Sequence, residues 1–254
     1  MNRKCVGLAL GGGGARGIAH IGVLQILERE QVPVDCIAGT SAGSLVGAAY
    51  AAGIRGDRLL QMALNIRWRH LARPVWPRHG FLSFDKLESY LIRTLGDLTF
   101  ADLEIPYAVV TTDLMTGQPV IIREGRVAPA VRASCSVPGF VAPVFLDHRW
   151  LTDGGVANNL PISVARELGA DVVIAVGLGA PPFTLPRDPF RIGISAIEHL
   201  IFNAADHPAT ADVYIPIPVW GLSSLVRISK RLQILALGRQ AAEQALPAIH
   251  ATLA

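Results

Sequence analysis

Two glycine-rich turns near the start of this chain each follow a short apolar segment and precede a helical pattern. Residues 5–10 are apolar and run into GGGGARG at residues 11–17, after which residues 17–29 carry apolar side chains at near-helical spacing. Residues 34–38 (VDCIA) are apolar except for Asp35 and lead into GTSAG at residues 39–43, which is followed by a run of small residues. Apolar segments this short are typical of buried parallel strands. The order strand, helix, strand, helix predicts a parallel sheet with right-handed crossovers, and hence an α/β fold.

The remaining sequence predicts more elements of the same two kinds. Further strands are predicted at residues 107–112, 120–123, 150–153, 172–176 and 213–217. Further helices are predicted at residues 85–95, 127–134, 161–168, 193–203 and near 229–245. Because the chain has no internal repeat and no hydrophilic linker, we predict a single domain over residues 1–254, with a core at about 5–219 and a C-terminal helix at about 229–250.

Composition narrows the class of protein. Hydrophobic residues make up 51% of the 254-residue chain and charged residues 17%, with a mean hydropathy of +0.39, which excludes a disordered chain. No stretch approaches the roughly 20 consecutive apolar residues that a membrane-spanning helix needs. Cys5, Cys36 and Cys135 show no CxxC spacing, so they predict neither a disulfide framework nor a zinc site. We therefore expect a reducing compartment and a cytoplasmic location.

The second glycine-rich turn contains a candidate nucleophile. GTSAG matches G-x-S-x-G, with Ser41 between Gly39 and Gly43. A serine in this motif occupies a sharp strand-to-helix turn, and the helix behind it presents oriented N–H groups and a partial positive charge. The flanking predicted strand and helix are the context that the motif needs. The alternative is an ordinary Gly/Ser turn that caps a helix.

The first glycine-rich turn admits three interpretations. Gly12, Gly14 and Gly17 match G-x-G-x-x-G, but the acid that a dinucleotide site needs at the end of the second strand is represented only by Asp35, at the start of that strand. A phosphate-binding P-loop would need Gly-Lys-Ser/Thr, which is absent from the turn. We favour an oxyanion hole, in which glycine N–H groups at a helix N-terminus face a developing negative charge. Parallel pairing of the first two strands would place these groups beside Ser41.

A serine nucleophile needs a base, and two kinds are present. Asp153 ends an apolar strand in LTDGG, and we expect it at the C-terminal edge of the parallel sheet, although a plain Asp-Gly turn is the alternative. His199, His207 and His250 follow Asp153 in the Ser, Asp, His order of α/β-hydrolases. That fold places its serine turn after several strands rather than after the second. The residues alone leave both kinds of base open.

Taken together, these segments resemble the patatin-like phospholipase family in its bacterial cytosolic form. The matching segments are GLALGGGGARGIAHIGVLQILE, IAGTSAGSLVGAAYAAG, RASCSVPGFVAPV and LTDGGVANNLPISVARELGADVVIAV, in the family's order. The resemblance covers the chain from Cys5 to about Val219. It implies a three-layer α/β/α domain with a mostly parallel central sheet.

The resemblance also implies an activity. It implies a serine lipid acyl hydrolase that cleaves fatty-acyl esters of phospholipids, lysophospholipids or related lipids through an acyl-enzyme, with Ser41 as nucleophile and Asp153 as base. It implies oxyanion N–H groups at Gly12, Gly13 and Gly14, and neither a cofactor nor a metal. The residues that support these motifs are Arg16, Gly17, Gly39, Gly43, Gly154 and Gly155.

Two further functions stay open at this point. A lipid acyltransferase would use the same dyad and the same acyl-enzyme but a different acceptor. A regulatory or scaffold protein of the same fold would act through partners without turnover. The sequence does not predict the oligomeric state.

Residues 65–84 mix aromatic and basic side chains, with four arginines and no acid between residues 67 and 79. This mixture favours peripheral contact with an anionic membrane surface. The alternative is a solvated loop packed by its tryptophans, whereas nucleic-acid binding is not expected because no known module is recognisable. The residues predicted to contact a membrane are Arg67, Trp68, Arg69, Arg73 and Trp76.

Overall fold

A computed structural model describes residues 3–76, 79–179, 192, 196, 199–219 and 228–254. Its strands alternate with helices along most of the chain, as predicted. The strands are Val6–Leu10 (β1), Cys36–Thr40 (β2), Arg73–Pro74 (β3), Leu82–Ser83 (β4), Tyr107–Asp113 (β5), Pro119–Ile122 (β6), Val144–Leu146 (β7), Arg149–Asp153 (β8), Val172–Leu178 (β9) and Val213–Ile217 (β10). The helices are Ile18–Arg29 (α1), Ala42–Ala51 (α2), Gly56–Asn65 (α3), Trp68–Leu71 (α4), Asp85–Leu95 (α5), Val127–Ser134 (α6), Ile162–Glu167 (α7) and Ile228–Leu253 (α8).

The central sheet is mostly parallel. Its main path runs β10-β9-β1-β2-β5-β8-β7, and β6 pairs with β5 beside that path. The first five strands of the path are parallel to one another, and β6, β7 and β8 add antiparallel pairs at one side. The predicted α/β fold with a mostly parallel sheet is therefore confirmed.

Helices cover both faces of this sheet. The larger hydrophobic cluster contains Leu8 and Leu10 of β1 and packs one face against α1, α2 and α8, among others. The smaller cluster contains Ala9 and packs the opposite face against α7. Because side chains alternate along a strand, a strand buried on both faces reads as a continuous apolar run. This explains how the apolar excess of the composition is used, and it confirms the three-layer α/β/α arrangement.

The register of β5 brings two strand ends together. β2 pairs with β5 in parallel and stops where Thr40 lies opposite Val110. β8 pairs with β5 in the antiparallel sense and stops where Asp153 lies opposite Thr111, the next residue along β5. β6 pairs with both halves of β5, so β2 and β8 must share its other edge. Their C-terminal ends therefore meet head to head beside β5.

Some local expectations need correction. β2 begins at Cys36 rather than residue 34. β8 is antiparallel to β5, although its last residue, Asp153, does lie at the expected edge, beside the C-terminal end of β2. α3 was not predicted, because Gly53 just before it and its first residue, Gly56, make its start look like a turn, and their φ values are indeed +85° and +49°. β3, β4 and β7 are short and were also not predicted. The predicted helix at 193–203 falls mostly outside the described residues, of which 192, 196 and 199–203 are helical.

In the described ranges, none of the helices combines the length and apolar character needed to cross a bilayer. The predicted C-terminal helix extends further than expected, from Ile228 to Leu253, and contains Pro247. It packs mainly along α1 and also contacts β10, so it adds a long layer to the face that carries α1.

Candidate active site

Ser41 lies on the turn between β2 and α2 in a backbone conformation that is rare for a side-chain-bearing residue, with φ 50° and ψ −118°. This is the sharp strand-to-helix turn that the motif predicts. The turn passes so close to β1 that a Cβ at Gly43 would overlap the Leu10 carbonyl. Gly39 lies in β2, and Gly17 faces Ala42 at the start of α2. A strained turn of this kind persists only where its surroundings hold it.

Hydrogen bonds hold the Ser41 backbone from two sides. Its N–H donates to the Oγ of Ser134 at 2.8 Å, and that hydroxyl donates in turn to the Val110 carbonyl of β5 at 2.6 Å. The Ser41 carbonyl accepts hydrogen bonds from the Ser44 hydroxyl and the Cys135 thiol. Ser134 therefore ties the turn directly to the central sheet.

Asp153 contacts Ser41 across the junction of β2 and β8. The Ser41 Oγ donates to the Asp153 Oδ2 at 2.7 Å, although the two residues are 112 positions apart in the sequence. The other carboxylate oxygen, Oδ1, accepts the Gly155 N–H at 2.8 Å. Gly154 packs against β5 so closely that a Cβ there would overlap the Val110 carbonyl. The head-to-head strands and these two glycines fix the orientation of the carboxylate.

Burial changes the acidity of Asp153. The residue is 2% exposed, and loss of hydration raises the pKa of its carboxyl from 3.8 to about 6, although the hydrogen bonds from Gly155 and Ser41 act in the opposite direction. The carboxylate is thus the predominant form at neutral pH, but it binds a proton far more readily than an exposed aspartate. A group with this acidity suits the acceptance and return of a proton.

The glycine loop lies beside Ser41, since β1 and β2 are neighbours and a Cβ on Gly12 would lie 3.2 Å from the Ser41 Cβ. The expectation for Gly12 needs correction, because its N–H donates to the Asn159 carbonyl at 3.0 Å and is not free for an oxyanion. For Gly13 and Gly14, no acceptor of the N–H is found within the described part of the chain. These two groups remain as candidate oxyanion donors.

Arg16 and His20 hold the loop in place. The Arg16 Nε donates to the Gly13 carbonyl at 3.0 Å, and its guanidinium lies 5.3 Å from the centre of the Phe202 ring. Because the peptide is planar and trans, a Gly13 carbonyl held towards Arg16 directs the Gly14 N–H the opposite way. A ring nitrogen of His20, Nε2, lies 2.8 Å from the Gly11 carbonyl, and burial lowers the pKa of His20 to about 4, so its ring is neutral.

The other histidines occupy different surroundings. His207 is exposed and its Nδ1 accepts the Ala209 N–H, while His250 is exposed near the end of α8. The Ser41 hydroxyl donates to a carboxylate instead. Within the described ranges, no three or more His, Cys, Asp or Glu side chains come together in a group that could hold a metal ion.

A family model described as patatin-like phospholipase matches residues 8–166, which is more than half of the chain. The chain belongs to the patatin-like phospholipase family. It is 39% identical over 186 residues to an NTE family protein of Mycobacterium tuberculosis, an alignment that covers 72% of this chain and 51% of that protein. It is 36% identical over 190 residues to the lysophospholipase nte1 of Aspergillus fumigatus, covering 72% of this chain and 12% of that protein.

This patatin-like chain thus matches at most about half the length of these relatives. Among solved structures it is similar to VipD from Legionella pneumophila, with a TM-score of 0.58 and 14% sequence identity over 97% of this chain and 67% of VipD. Identity this low supports the shared fold alone. The three-layer architecture of the patatin-like chain agrees with that fold.

Two polar residues of this patatin-like site were missed by sequence reasoning. Ser134 and Asn159 lie within the motif segments RASCSVPGFVAPV and LTDGGVANNLP, but nothing in the letters indicates their contacts. Ser134 receives the Ser41 N–H, and Asn159 receives the Gly12 N–H through its carbonyl. The adjacent Asn158 and Asn159, buried a few residues after Asp-Gly-Gly, were the available signal, since buried amides need partners.

The basic segment forms the one-turn helix α4 followed by β3. Arg67 and Arg69 are exposed. The Arg73 Nε forms an ion pair with the Asp85 Oδ2 at 2.5 Å, and Asp85 is an acid that lies just after residues 65–84 in the sequence. Trp76 is 82% exposed. The contact candidates Arg67, Arg69, Arg73 and Trp76 are therefore exposed, and Arg73 also has a partner in α5, whereas the side chain of Trp68 lies outside the described part of the structure.

Proposed function

We propose that this protein is a serine lipid acyl hydrolase that works through a Ser41–Asp153 dyad. The hydrogen bond of 2.7 Å between the Ser41 Oγ and the Asp153 Oδ2 carries the proposal. It is supported by the strained turn at Ser41 and by the raised pKa of Asp153. The family and the lysophospholipase name of the Aspergillus relative favour fatty-acyl esters of phospholipids or lysophospholipids as substrates.

The first half of the reaction would form an acyl-enzyme. The Ser41 Oγ attacks the ester carbonyl carbon while its proton passes to the Asp153 carboxylate. The Gly13 and Gly14 N–H groups and the N-terminus of α2 stabilise the oxyanion. The tetrahedral intermediate then collapses, the bond to the leaving alcohol breaks, and Asp153 returns the proton to that alcohol.

The second half would release the acid. Water attacks the acyl carbon, gives a proton to Asp153, and displaces the Ser41 oxygen, which recovers that proton. Attack by another alcohol instead of water would transfer the acyl group. Product analysis with and without an added alcohol acceptor separates hydrolysis from acyl transfer.

Site-directed variants test the dyad. We expect the purified protein to cleave short-chain p-nitrophenyl esters and to be labelled by a fluorophosphonate at Ser41, and both Ser41→Ala and Asp153→Ala to abolish ester cleavage. His207→Ala is a matched control, because this exposed imidazole bonds only a local turn. Full esterase activity in either dyad variant would disprove the assignment.

We also propose that a defined aromatic surface contacts lipid. It comprises Trp76, Phe81, Phe145 and Trp150, all exposed. The ring of His79, which lies between Trp76 and Phe81 in the sequence, is centred 6.0 Å from that of Trp150. The Phe145 and Trp150 rings are 5.0 Å apart on the β7–β8 hairpin. Amphipathic aromatic side chains beside basic ones are characteristic of membrane-interface segments.

The position of this aromatic surface favours delivery of substrate. Trp150 precedes Asp153 by three residues in β8, which corresponds to a distance of about 10 Å along the strand. The exposed Arg67 and Arg69 supply positive charge close in sequence to Trp76. A cytoplasmic protein that contacts an anionic membrane peripherally through this surface is the arrangement we propose.

A further inference from the structure

Asn159 is fixed by its backbone next to the glycine loop. Its N–H donates to the Ala204 carbonyl at 2.7 Å, and its carbonyl accepts the Gly12 N–H at 3.0 Å. The residue is 6% exposed. These two bonds anchor the glycine loop through the backbone of Asn159, without its side chain.

The side-chain oxygen of Asn159 has an unusual environment. Its Oδ1 is buried, and among the described residues no donor reaches it. Buried polar atoms in folded proteins are nearly always hydrogen-bonded, so an acceptor of this kind needs a specific explanation. The neighbouring amide shows the ordinary case, because the Asn158 Oδ1 accepts the Asp206 N–H at 3.3 Å.

The unpaired oxygen lies close to the Ser41–Asp153 pair. A Cβ on Gly155 would lie 2.9 Å from the Ile201 Cγ2, 3.0 Å from the Asn159 Oδ1 and 3.1 Å from the Asp153 Oδ1, so the two oxygens lie near one another on the same side of Gly155. A Cβ on Gly12 would overlap the Asn159 Oδ1 and would lie 3.2 Å from the Ser41 Cβ. The amide oxygen thus sits between the glycine loop and the carboxylate, where a side chain on either glycine would displace it.

Two acceptors side by side match the donors of one water molecule. A water that attacks an acyl group must give one proton to a base and keep its second O–H, and that second O–H needs an acceptor of its own. An amide oxygen can accept this hydrogen bond and has no tendency to take the proton. The alcohol that leaves in the first half-reaction has no second O–H, so that step needs no such acceptor.

We propose that the Asn159 Oδ1 orients the water that hydrolyses the acyl-enzyme, so that Asn159 is a further catalytic residue, specific to the second half-reaction. This inference rests on the proposed function. The water oxygen bonds to the acyl carbon, one proton moves to Asp153, and the bond from the acyl carbon to the Ser41 Oγ breaks. The Ser41 Oγ takes the proton from Asp153, and the fatty acid leaves with the O–H that Asn159 held.

Pre-steady-state kinetics with p-nitrophenyl butyrate test the proposal, because p-nitrophenol release reports acylation and steady turnover reports deacylation. For Asn159→Ala we expect the first p-nitrophenol burst within about threefold of the wild-type rate and deacylation slowed about 10- to 100-fold, since a misplaced water loses its alignment. The acyl-enzyme should accumulate and appear in intact-mass spectra of the quenched variant. Hydroxylamine, a stronger nucleophile, should accelerate its breakdown.

Two variants control for structural damage. Asn159→Ser leaves less space unfilled and retains a hydroxyl acceptor, so its deacylation rate should lie between those of the wild type and Asn159→Ala. Asn158→Ala removes a neighbouring buried amide that has a partner, and it should change acylation and deacylation by the same factor. Circular dichroism of each variant confirms that the fold is intact.

The outcomes are distinct. Equal slowing of both steps in Asn159→Ser and Asn159→Ala would overturn the proposal and would place the amide among the oxyanion donors. Unchanged deacylation in both would also overturn it. A wild-type protein that forms no covalent adduct with a fluorophosphonate would instead refute the proposed function itself.

Discussion

The buried Asp153 carboxylate predicts an inverse relation between activity and stability. Asp153→Asn keeps the shape and hydrogen-bonding capacity of the side chain, since its oxygen can accept the Gly155 N–H and its amide can donate to the Ser41 Oγ. It removes the buried charge and the proton acceptor together. We expect esterase activity to be lost while the folded state becomes more stable at neutral pH.

The magnitude follows from linkage between folding and proton binding. Burial raises the pKa of Asp153 to about 6, against 3.8 for an ordinary aspartate, so the folded protein binds this proton more tightly than the unfolded chain does. This group's contribution to stability is therefore most favourable below pH 3.8 and is lost as the pH rises through about 6. A shift of about two pH units corresponds to about 3 kcal/mol at pH 7.

Urea unfolding followed by tryptophan fluorescence measures this difference. We expect the unfolding midpoint of Asp153→Asn to exceed that of the wild type by about 1 M urea at pH 7, and the gap to close towards pH 4. Asp35→Asn is the matched control, because the hydrogen bond from Arg3 lowers the pKa of Asp35 and its replacement should destabilise at pH 7. An Asp153→Asn variant that is less stable than wild type at pH 7, or equally stabilised at pH 4, would refute the reasoning.

Three further predictions concern catalysis and lipid contact. The kcat/KM for p-nitrophenyl esters should be constant above a pH of about 6 and fall about tenfold per pH unit below it, because protonation of Asp153 removes the proposed base. Initial rates measured over a series of buffers from pH 4 to pH 8 test this. Ser134→Ala should lower kcat by about tenfold or more and destabilise the fold by about 1–3 kcal/mol, since it leaves the buried Ser41 N–H without its acceptor, and Ser134→Thr should restore much of both. Arg67→Glu/Arg69→Glu should weaken sedimentation with anionic phosphatidylserine vesicles, most strongly at low salt.

Controls sharpen these three experiments. A rate that stays constant down to pH 4 would contradict the role of Asp153 as base, and an unchanged kcat in Ser134→Ala would show that the turn holds Ser41 without that hydroxyl. For vesicle binding, Arg58→Glu/Arg123→Glu changes the net charge equally at exposed positions outside the basic segment. Equal loss of binding in both double variants would show that vesicle binding depends on the net charge of the protein and not on the basic segment.

The parts of the site that the sequence predicts are those set by local chain geometry. Ser41 is recognisable because a strand, a sharp turn and a helix follow one another within a few residues, and the glycine loop is recognisable for the same reason. Asp153 is recognisable by the Asp-Gly-Gly turn after an apolar strand. Its contact with Ser41 is not, because it depends on which edge and direction β8 takes along β5.

Longer-range partners explain the remaining errors. Whether the Gly12 N–H is free depends on a carbonyl at Asn159, and whether Arg73 is a free positive charge depends on Asp85 in another element. Composition and periodicity contain no information on such pairings, which arise only when the sheet and its helices are assembled. The basic segment illustrates this. Residues 67–79 contain no acid, but Asp85 lies beside Arg73 in the folded protein.

The head-to-head meeting of β2 and β8 makes the contact between Ser41 and Asp153 depend on correct assembly of the sheet. Side chains alternate along a strand, so a slip of β8 by one residue along β5 would turn Asp153 to the opposite face and away from Ser41. A single-residue insertion in the β7–β8 hairpin that shifts this pairing should therefore abolish esterase activity while most of the core stays packed. The rate at which Ser41 becomes reactive towards a fluorophosphonate during refolding would time the docking of β8, a step that spectroscopic probes of the helices would not distinguish.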